Sequence, residues 1–287
     1  MPRPSISAYI LHLRPRSWPV VAGHITVGFL IALPPAQWIG GLSSLILGVT
    51  IWAIMLNGGT LAFNSAFDND VSDVGYLDNP PPVPARLTAY SLVLMVIGGA
   101  GAFFISVNYA AAYWISFIMS VLYSCPPVRL KARAGYDILI NVVGYGALTT
   151  YAGWACVSDR LDLFIVLICV GYMFLFASLY PLTQIYQYEE DLAKNDKTFS
   201  IALGPLWSLR FAFLMMLCAF AVFFYVSLVN DGTAYLFIPP LILWLTVLAP
   251  WLILGRAYAE KKGMYRALWA WAFTDIAMVL AFNYNML

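Results

Sequence analysis

The chain is predicted to be an all-α membrane protein, a single bundle of nine transmembrane helices with its chemistry gathered at one face. Three observations carry that prediction. The 287 residues are 62% hydrophobic and only 10% charged, where soluble domains carry roughly 25% charged residues. Nine apolar stretches approach the length of about 20 residues that a helix needs to cross a bilayer. The acids are not scattered: Asp68, Asp70, Asp73, Asp78, Glu189, Glu190 and Asp191, half of the fourteen, lie just beyond two of those stretches. A transmembrane β-barrel would alternate polar and apolar residues instead.

Taken in order, the first stretch is Trp18–Leu33, preceded by Arg3, Arg14 and Arg16 in the manner of a signal anchor with no convincing cleavage site. The second, Leu42–Phe63, runs into the first acidic cluster, Asn64-Ser-Ala-Phe-Asp68-Asn-Asp70-Val-Ser-Asp73. Next comes Asp78-Asn-Pro-Pro-Pro-Val-Pro84, an extended segment of restricted dihedrals expected to hold that cluster against a neighbouring helix. Thr88–Val107 is the third stretch. Ala110–Tyr123, the fourth and shortest, leads into a basic loop with Arg129, Lys131 and Arg133. Ile138–Val157 is the fifth. Leu163–Tyr186, the sixth, ends in the second acidic cluster, Gln187-Tyr-Glu189-Glu190-Asp191. Leu206–Leu228, Ala234–Leu254 and Ala267–Leu287 complete the set.

With the N-terminus in the cytoplasm, every Lys and Arg except Arg160 falls on the inner side. That asymmetry orients the protein and supports the count, because a missed helix would scramble it. Both acidic clusters then face the cytoplasm. Spans two and six both run inward to an acidic cluster, and spans four and eight both run inward to a basic loop. The layout reads as two parallel four-span units plus a ninth helix, in one domain over residues 1–287. The four cysteines form no CxxC pair and read as small apolar packers. A net charge of +1 without a basic stripe gives no sign of a nucleic-acid partner. Walker, HExxH and dinucleotide-loop motifs are missing, and two histidines make a poor metal site.

On a helix, Asn64 and Asp68 share a face at i,i+4, Asp70 and Asp73 at i,i+3, and Gln187 and Asp191 repeat the i,i+4 relation. Carboxylates without histidine or cysteine suit a hard cation such as Mg²⁺, completed by substrate phosphates and water. The candidate ligands are Asn64, Asp68, Asp70, Asp73, Gln187, Glu190 and Asp191. Arg129, Lys131 and Arg133, with Arg86, Lys194 and Lys197, can complete a cradle for a diphosphate between two such faces. One cluster alone would read as solvated charge at a helix end. Two in matching positions, with a basic loop between them, favour the metal–diphosphate site.

With these motifs the chain resembles the UbiA superfamily of intramembrane prenyltransferases. The family's NxxxDxxxD-type motif follows the second span and its DxxxD-type motif the sixth. Tyr123-Ser-Cys-Pro-Pro-Val-Arg-Leu-Lys131-Ala-Arg133 is similar to its Tyr-rich, Lys-bearing segment. Lys197-Thr-Phe-Ser-Ile-Ala-Leu-Gly204 looks like the tail of its second motif. Two positions depart from the pattern: Ser72 stands where the last Asp of the first motif is expected, and Gln187 where Asp is usual. The resemblance implies Mg²⁺-dependent transfer of an isoprenyl group from its diphosphate to an acceptor, expected to be an aromatic ring, within the bilayer. Asp68, Asp191, Lys131, Asn141 and Asp275 are the catalytic candidates. Tyr123, Tyr145 and Tyr186, with Tyr151 and Trp154, are candidate walls for a carbocation, since ring faces attract cations within about 6 Å. For each aromatic the plainer reading is packing or interfacial anchoring.

Polar residues inside spans are costly and carry separate interest. Asn141 lies one turn from Tyr145 and can face the acceptor or the cation. Asp275 can orient or deprotonate an acceptor, or balance a cation, or be a structural hydrogen-bonding acid. His24 reads first as a helix–helix hydrogen-bonder. The runs Gly98-Gly-Ala-Gly101 and Gly144-Tyr-Gly146 read as close-packing points. Two rivals stand beside the transferase. A terpene cyclase of the same fold would make a hydrocarbon with no acceptor present. A transporter would place its charges at mid-membrane depth, often in inverted repeats.

Overall fold

The computed structural model describes residues 6–68, 73–255 and 258–284, and every regular element among them is a helix. The only strand-like features among these residues are the isolated bridges Val74–Leu77 and Arg133–Lys197. A short α1 (Ile6–His12) leads to α2 (Trp18–Ala32), α3 (Pro35–Asp68), α4 (Leu87–Ala102), α5 (Val107–Ser124) and α6 (136–155). Then come α7 (Leu163–Tyr186), two short helices α8 (Tyr188–Ala193) and α9 (Phe199–Leu203), α10 (Pro205–Val229), α11 (Ala234–Leu254) and α12 (Glu260–Asn283). Over the described residues, each of the nine expected apolar stretches lies mainly on one of the longer helices.

Four of them, α3, α7, α10 and α11, are long and apolar enough on their own to cross a membrane. Others are shorter: α2 has 15 residues and α4 has 16, about 23 Å of helix at 1.5 Å per residue. The ninth stretch begins earlier than the sequence suggested, at Glu260 rather than Ala267. Glu260 in the first turn suits the positive end of the helix dipole. Two helices are not regular throughout. α3 widens into π-helical turns at Thr50–Gly58 and α6 at Val142–Leu148, a distortion frequent at functional sites.

The helices pack as two flanks. One joins α7 to α10, α11 and α12 around Tyr172, Phe220, Phe223 and Trp244. The other joins α2, α3, α5 and α6 around Ile25, Phe29, Trp52 and Tyr113. Glycine sets the closest crossing. A Cβ on Gly28 of α2 would land on the Thr150 carbonyl oxygen of α6, and one on Gly153 of α6 on the Ile25 carbonyl oxygen. Small residues let helix backbones approach in this way. Of the two glycine runs singled out in the sequence, Gly98 meets the Tyr113 hydroxyl and Gly146 the Met173 backbone. A Cβ on Gly144 would meet only Met119 Cε, at 4.0 Å, and this glycine borders the central cavity. Because backbone atoms cannot step aside as a side-chain tip can, Gly153→Leu is expected to cost about 3 kcal/mol or more. A fluorescence melt in detergent checks this, against Gly144→Ala, which is expected to melt like wild type.

Candidate active site

Between the flanks lies a cavity of about 370 Å³. Its mouth is built by the ends of α3 and α7 and by the loops that follow α5 and α8. Asn64 and Asp68 sit one turn apart at the end of α3, as their spacing predicts. The Lys131 ammonium reaches both: it donates to Asn64 Oδ1 at 2.8 Å and is ion-paired with Asp68. Ser124 Oγ donates to the same Asn64 oxygen at 3.0 Å. Lys131 is only 8% exposed, so its charge is held among these oxygens rather than in bulk water.

Across the mouth, Gln187 caps α8 and accepts the Asp191 backbone N–H at 3.0 Å, which sets the two one turn apart. Arg129, in the left-handed region at φ 39°, lays its guanidinium on both oxygens of Asp196 at 2.5 and 3.1 Å and reaches within 3.8 Å of Asp68. Lys194 pairs with Glu190 at 2.9 Å along α8. Burial, with Asp196 and Glu190 close by, pushes the Asp191 carboxyl up to about 7; Lys194 and Lys131 offset this only in part. The two clusters thus border one mouth, and Asp191 lacks the positive charge it needs to ionise freely.

What docks the second cluster is Asp137, which is fully buried. Its carboxylate accepts from Gln184 Nε2 at 2.6 Å, Phe199 N at 2.7 Å and Gly135 N at 2.9 Å. Gln184 Oε1 in turn accepts from Ser200 N at 3.0 Å. One carboxylate therefore ties α6, α7 and α9 together. A backbone bridge between Arg133 and Lys197, with Lys197 N donating to Ala132 O at 3.3 Å, clips the basic loop to the acidic one. Over the same mouth folds the loop 73–78. Val74 and Leu77 exchange backbone bonds of 3.0 and 2.9 Å, Arg14 Nη1 donates to Gly75 O at 3.1 Å, and Arg16 pairs with Asp78 at 2.7 Å. This presents Tyr76, at φ 65°, to the cavity.

Deeper in, the wall turns aromatic. Tyr123 and Tyr180 share a hydroxyl hydrogen bond of 3.0 Å. Phe176 stacks on Tyr145 at 5.1 Å between centroids and meets Trp271 edge-on at 5.8 Å. Tyr145 also ties the two π-helical segments together, donating to Asn57 Oδ1 at 2.9 Å. Asn141 borders the cavity and returns its amide to Asp137 O at 2.8 Å.

Of the residues singled out in the sequence, Asn64, Asp68, Tyr123, Lys131, Asn141, Tyr145, Gln187, Glu190, Asp191 and Lys194 all border this cavity. Arg129 is joined to them through Asp196 and Asp68. Asp70 lies outside the described residues. Asp73 does not continue the helical face: the described part of α3 ends at Asp68, and Asp73 accepts from Asn79 N at 2.9 Å and pairs with Lys261 at 3.5 Å. It faces an open groove beside the mouth, which Tyr186 also lines and which shares Gln187 and Glu190 with the cavity. Arg86 precedes α4, exposed and away from the cavity, and Arg133 and Lys197 are exposed and joined through backbone. Asp275 stands behind His24, whose Nδ1 lies 3.1 Å from it. Asp137, Gln184, Tyr180 and Tyr76 were missed by the sequence reading. An acid directly before an apolar run and after Gly135 was the one signal that could have found Asp137.

Among the described residues no three His, Cys, Asp or Glu side chains are gathered tightly enough to enclose a metal by themselves. The donor chemistry nonetheless fits Mg²⁺. The mouth offers only hard oxygens, from Asn64, Asp68, Glu190, Asp191 and Asp196, and an ion completed by phosphates and water needs one or two carboxylates rather than a full cage.

Fold and cavity together describe an integral membrane protein, helical throughout its described residues, with a charged mouth above an aromatic chamber. Residues 17–272 match the model of the UbiA prenyltransferase family, and the chain belongs to that family. It is similar to a lycopene elongase/hydratase of Halobacterium salinarum, with 28% identity over 257 residues that cover 85% of this chain and 88% of that protein. It is also similar to a protoheme IX farnesyltransferase of Bartonella tribocorum, with 26% identity over 171 residues, 56% of this chain and 52% of that one. The fold is that of a UbiA homolog from Archaeoglobus fulgidus solved bound to GPP and Mg²⁺, at TM-score 0.71 and 21% identity over 95% of this chain and 99% of that one.

Proposed function

We propose that this prenyltransferase moves an isoprenyl group from an isoprenyl diphosphate to an apolar acceptor with an exposed π system, an aromatic ring or a polyene end, inside the bilayer and with Mg²⁺. The observation that carries the reading is the polarity of one cavity. Acids and cations from both clusters border its mouth, and stacked rings line its depth. The names of the relatives, and the GPP and Mg²⁺ bound to the Archaeoglobus homolog, support it. In this reading the nine helices span the membrane as two four-span units plus one, with the N-terminus and the charged loops cytoplasmic.

Asn64, Asp68, Glu190 and Asp191 would hold the metal. Bound there, Mg²⁺ neutralises charge on the departing diphosphate. Lys131 and Arg129 supply the remaining positive charge, Arg129 through a planar fork suited to phosphate oxygens. The burial of Lys131 strengthens its interaction as the C–O bond stretches. Below them, Tyr145 and Phe176 offer ring faces to the allylic cation and exclude water. The acceptor's π electrons then close the new C–C bond. With no acceptor, a cyclic hydrocarbon as main product would mark a cyclase, and a prenylated adduct formed only with acceptor marks the transferase.

The Asp191 carboxyl gives a pH signature. Below about 7 it is protonated in the metal-free protein, so an incoming cation must displace that proton. Mg²⁺ affinity is expected to rise up to about tenfold per pH unit on approaching neutrality and to level off above it. Calorimetric titration of Mg²⁺ between pH 5.5 and 8.5 checks this; a flat profile contradicts it.

A further inference from the structure

Asn57 borders the cavity at 5% exposure, and nothing in the diphosphate mouth uses it. It sits in the π-helical segment of α3, about two helical turns below Asn64. Its amide joins two other side chains that border the same cavity. Nδ2 donates to Ser17 Oγ at 3.1 Å, and Oδ1 accepts from the Tyr145 hydroxyl at 2.9 Å. Ser17 Oγ in turn donates to Arg14 O at 2.8 Å. Polar side chains at this depth are costly, and they mark function by default.

The far end of this chain fixes the direction of every bond in it. A backbone carbonyl only accepts, so Ser17 spends its one hydrogen on Arg14 O. Ser17 Oγ can then only accept from Asn57, which turns the amide nitrogen to Ser17 and the amide oxygen to Tyr145. Tyr145 is left as an obligate donor. A phenol that donates its hydrogen carries more electron density in its ring, the property that attracts a cation.

The same chain fixes where the ring stands. Phe176 stacks on Tyr145 with 10° between the planes. Deeper in, Trp52 Nε1 donates to Thr149 Oγ1 at 3.2 Å and holds the two widened helices together a second time. Toward the mouth, Arg14 Nη2 donates to Ser65 Oγ at 3.2 Å, on the helical turn that carries Asn64 and Asp68. The Tyr145 ring is thereby tied, through hydrogen bonds, to the end of α3 where the leaving group is held.

We propose that Asn57 is a positioning residue for ionisation, holding Tyr145 as an electron-rich ring at a set depth below the breaking C–O bond. The inference rests on the prenyl-transfer reading above. As that bond breaks, its electron pair leaves with the diphosphate and the allylic carbons are left positive. Tyr145 forms no bond and moves no proton; its ring attracts the developing charge. Binding of the diphosphate belongs to the mouth and does not depend on Asn57.

The test measures kcat and KM for diphosphate release from geranyl diphosphate with Mg²⁺, in wild type, Asn57→Leu, Tyr145→Phe and the double variant. Tyr145→Phe keeps the ring and its packing and loses only the hydroxyl. Each single variant is expected to lose about tenfold in kcat, the scale of a desolvated cation–π contact, with KM unchanged. The double variant is expected to lose no more than either alone, because both cut the same tie. Wild-type kcat in Tyr145→Phe overturns the assignment. So does a loss in Asn57→Leu that falls on KM with kcat kept, the mark of a helix clamp. No release by the wild type from dimethylallyl, geranyl, farnesyl or geranylgeranyl diphosphate, with acceptor supplied, overturns the prenyl-transfer reading and this inference with it.

Discussion

Asp68→Asn and Asp191→Asn are each expected to lower diphosphate release about a thousandfold, the scale on which removal of one preorganised charge-stabilising group acts. Asp68 is the partner of both Lys131 and, at 3.8 Å, Arg129. Its amide would take an anionic partner from both cations and a charged donor from the metal. Asp191 is a different case, because it is partly buried and, secondarily, crowded by Asp196 and Glu190 before any cation arrives. Its folded-state pKa is raised above the ordinary carboxylate value to about 7, so the protonated form favours folding at low pH and that contribution is lost as pH rises through about 7. Asp191→Asn is therefore expected to be inactive yet to melt higher than wild type at pH 8 without metal, while Asp68→Asn melts lower. Enzymes commonly trade stability for function in this way. Stopped-flow phosphate detection and paired melting curves separate the two effects.

A second large effect is expected far from any metal donor. Asp137→Ala strips the acceptor from Gln184 Nε2, Phe199 N and Gly135 N at once. Gly135 is exposed and its N–H can turn to water, but the donors of buried Gln184 and half-buried Phe199 cost about 1–3 kcal/mol each when left without a partner. The sum is enough to undock α9 and the loop that carries Asp191 and Asp196. Activity should fall with stability in this variant, and trypsin should cut first at Lys194 or Lys197. Asp137→Asn, which keeps one carbonyl oxygen, is expected to fall between Ala and wild type. Wild-type melting and activity in Asp137→Ala would show that the second cluster is held by something else.

The helices were legible because hydrophobic length is written directly into composition, and each expected apolar stretch lies on a helix. The mouth was legible in part, because i,i+4 spacing places Asn64 with Asp68 and Gln187 with Asp191 wherever the chain is helical. Asp73 was misplaced on that same rule: the rule holds only while the helix continues, and Asp73 sits in loop backbone paired to Lys261. Arg86, Arg133 and Lys197 were drawn in by charge alone, and charge does not say which way a side chain leaves a loop. Asp196, which no spacing in the sequence singles out, holds Arg129. Long-range ties such as Asp137 to Phe199, and local widening such as the π-helical turns around Asn57 and Tyr145, depend on packing between helices distant in sequence. No local pattern announces them.

The central claim is that the charged mouth of this cavity ionises an isoprenyl diphosphate with Mg²⁺. Its most direct test is diphosphate release by the purified protein from dimethylallyl, geranyl, farnesyl and geranylgeranyl diphosphates, with Mg²⁺ and with chelator. Release from at least one of them, abolished by chelator and in both Asp68→Ala and Asp191→Ala, is the result expected. Release that persists in chelator and in both variants, or none from any of the four with acceptors supplied, would contradict it.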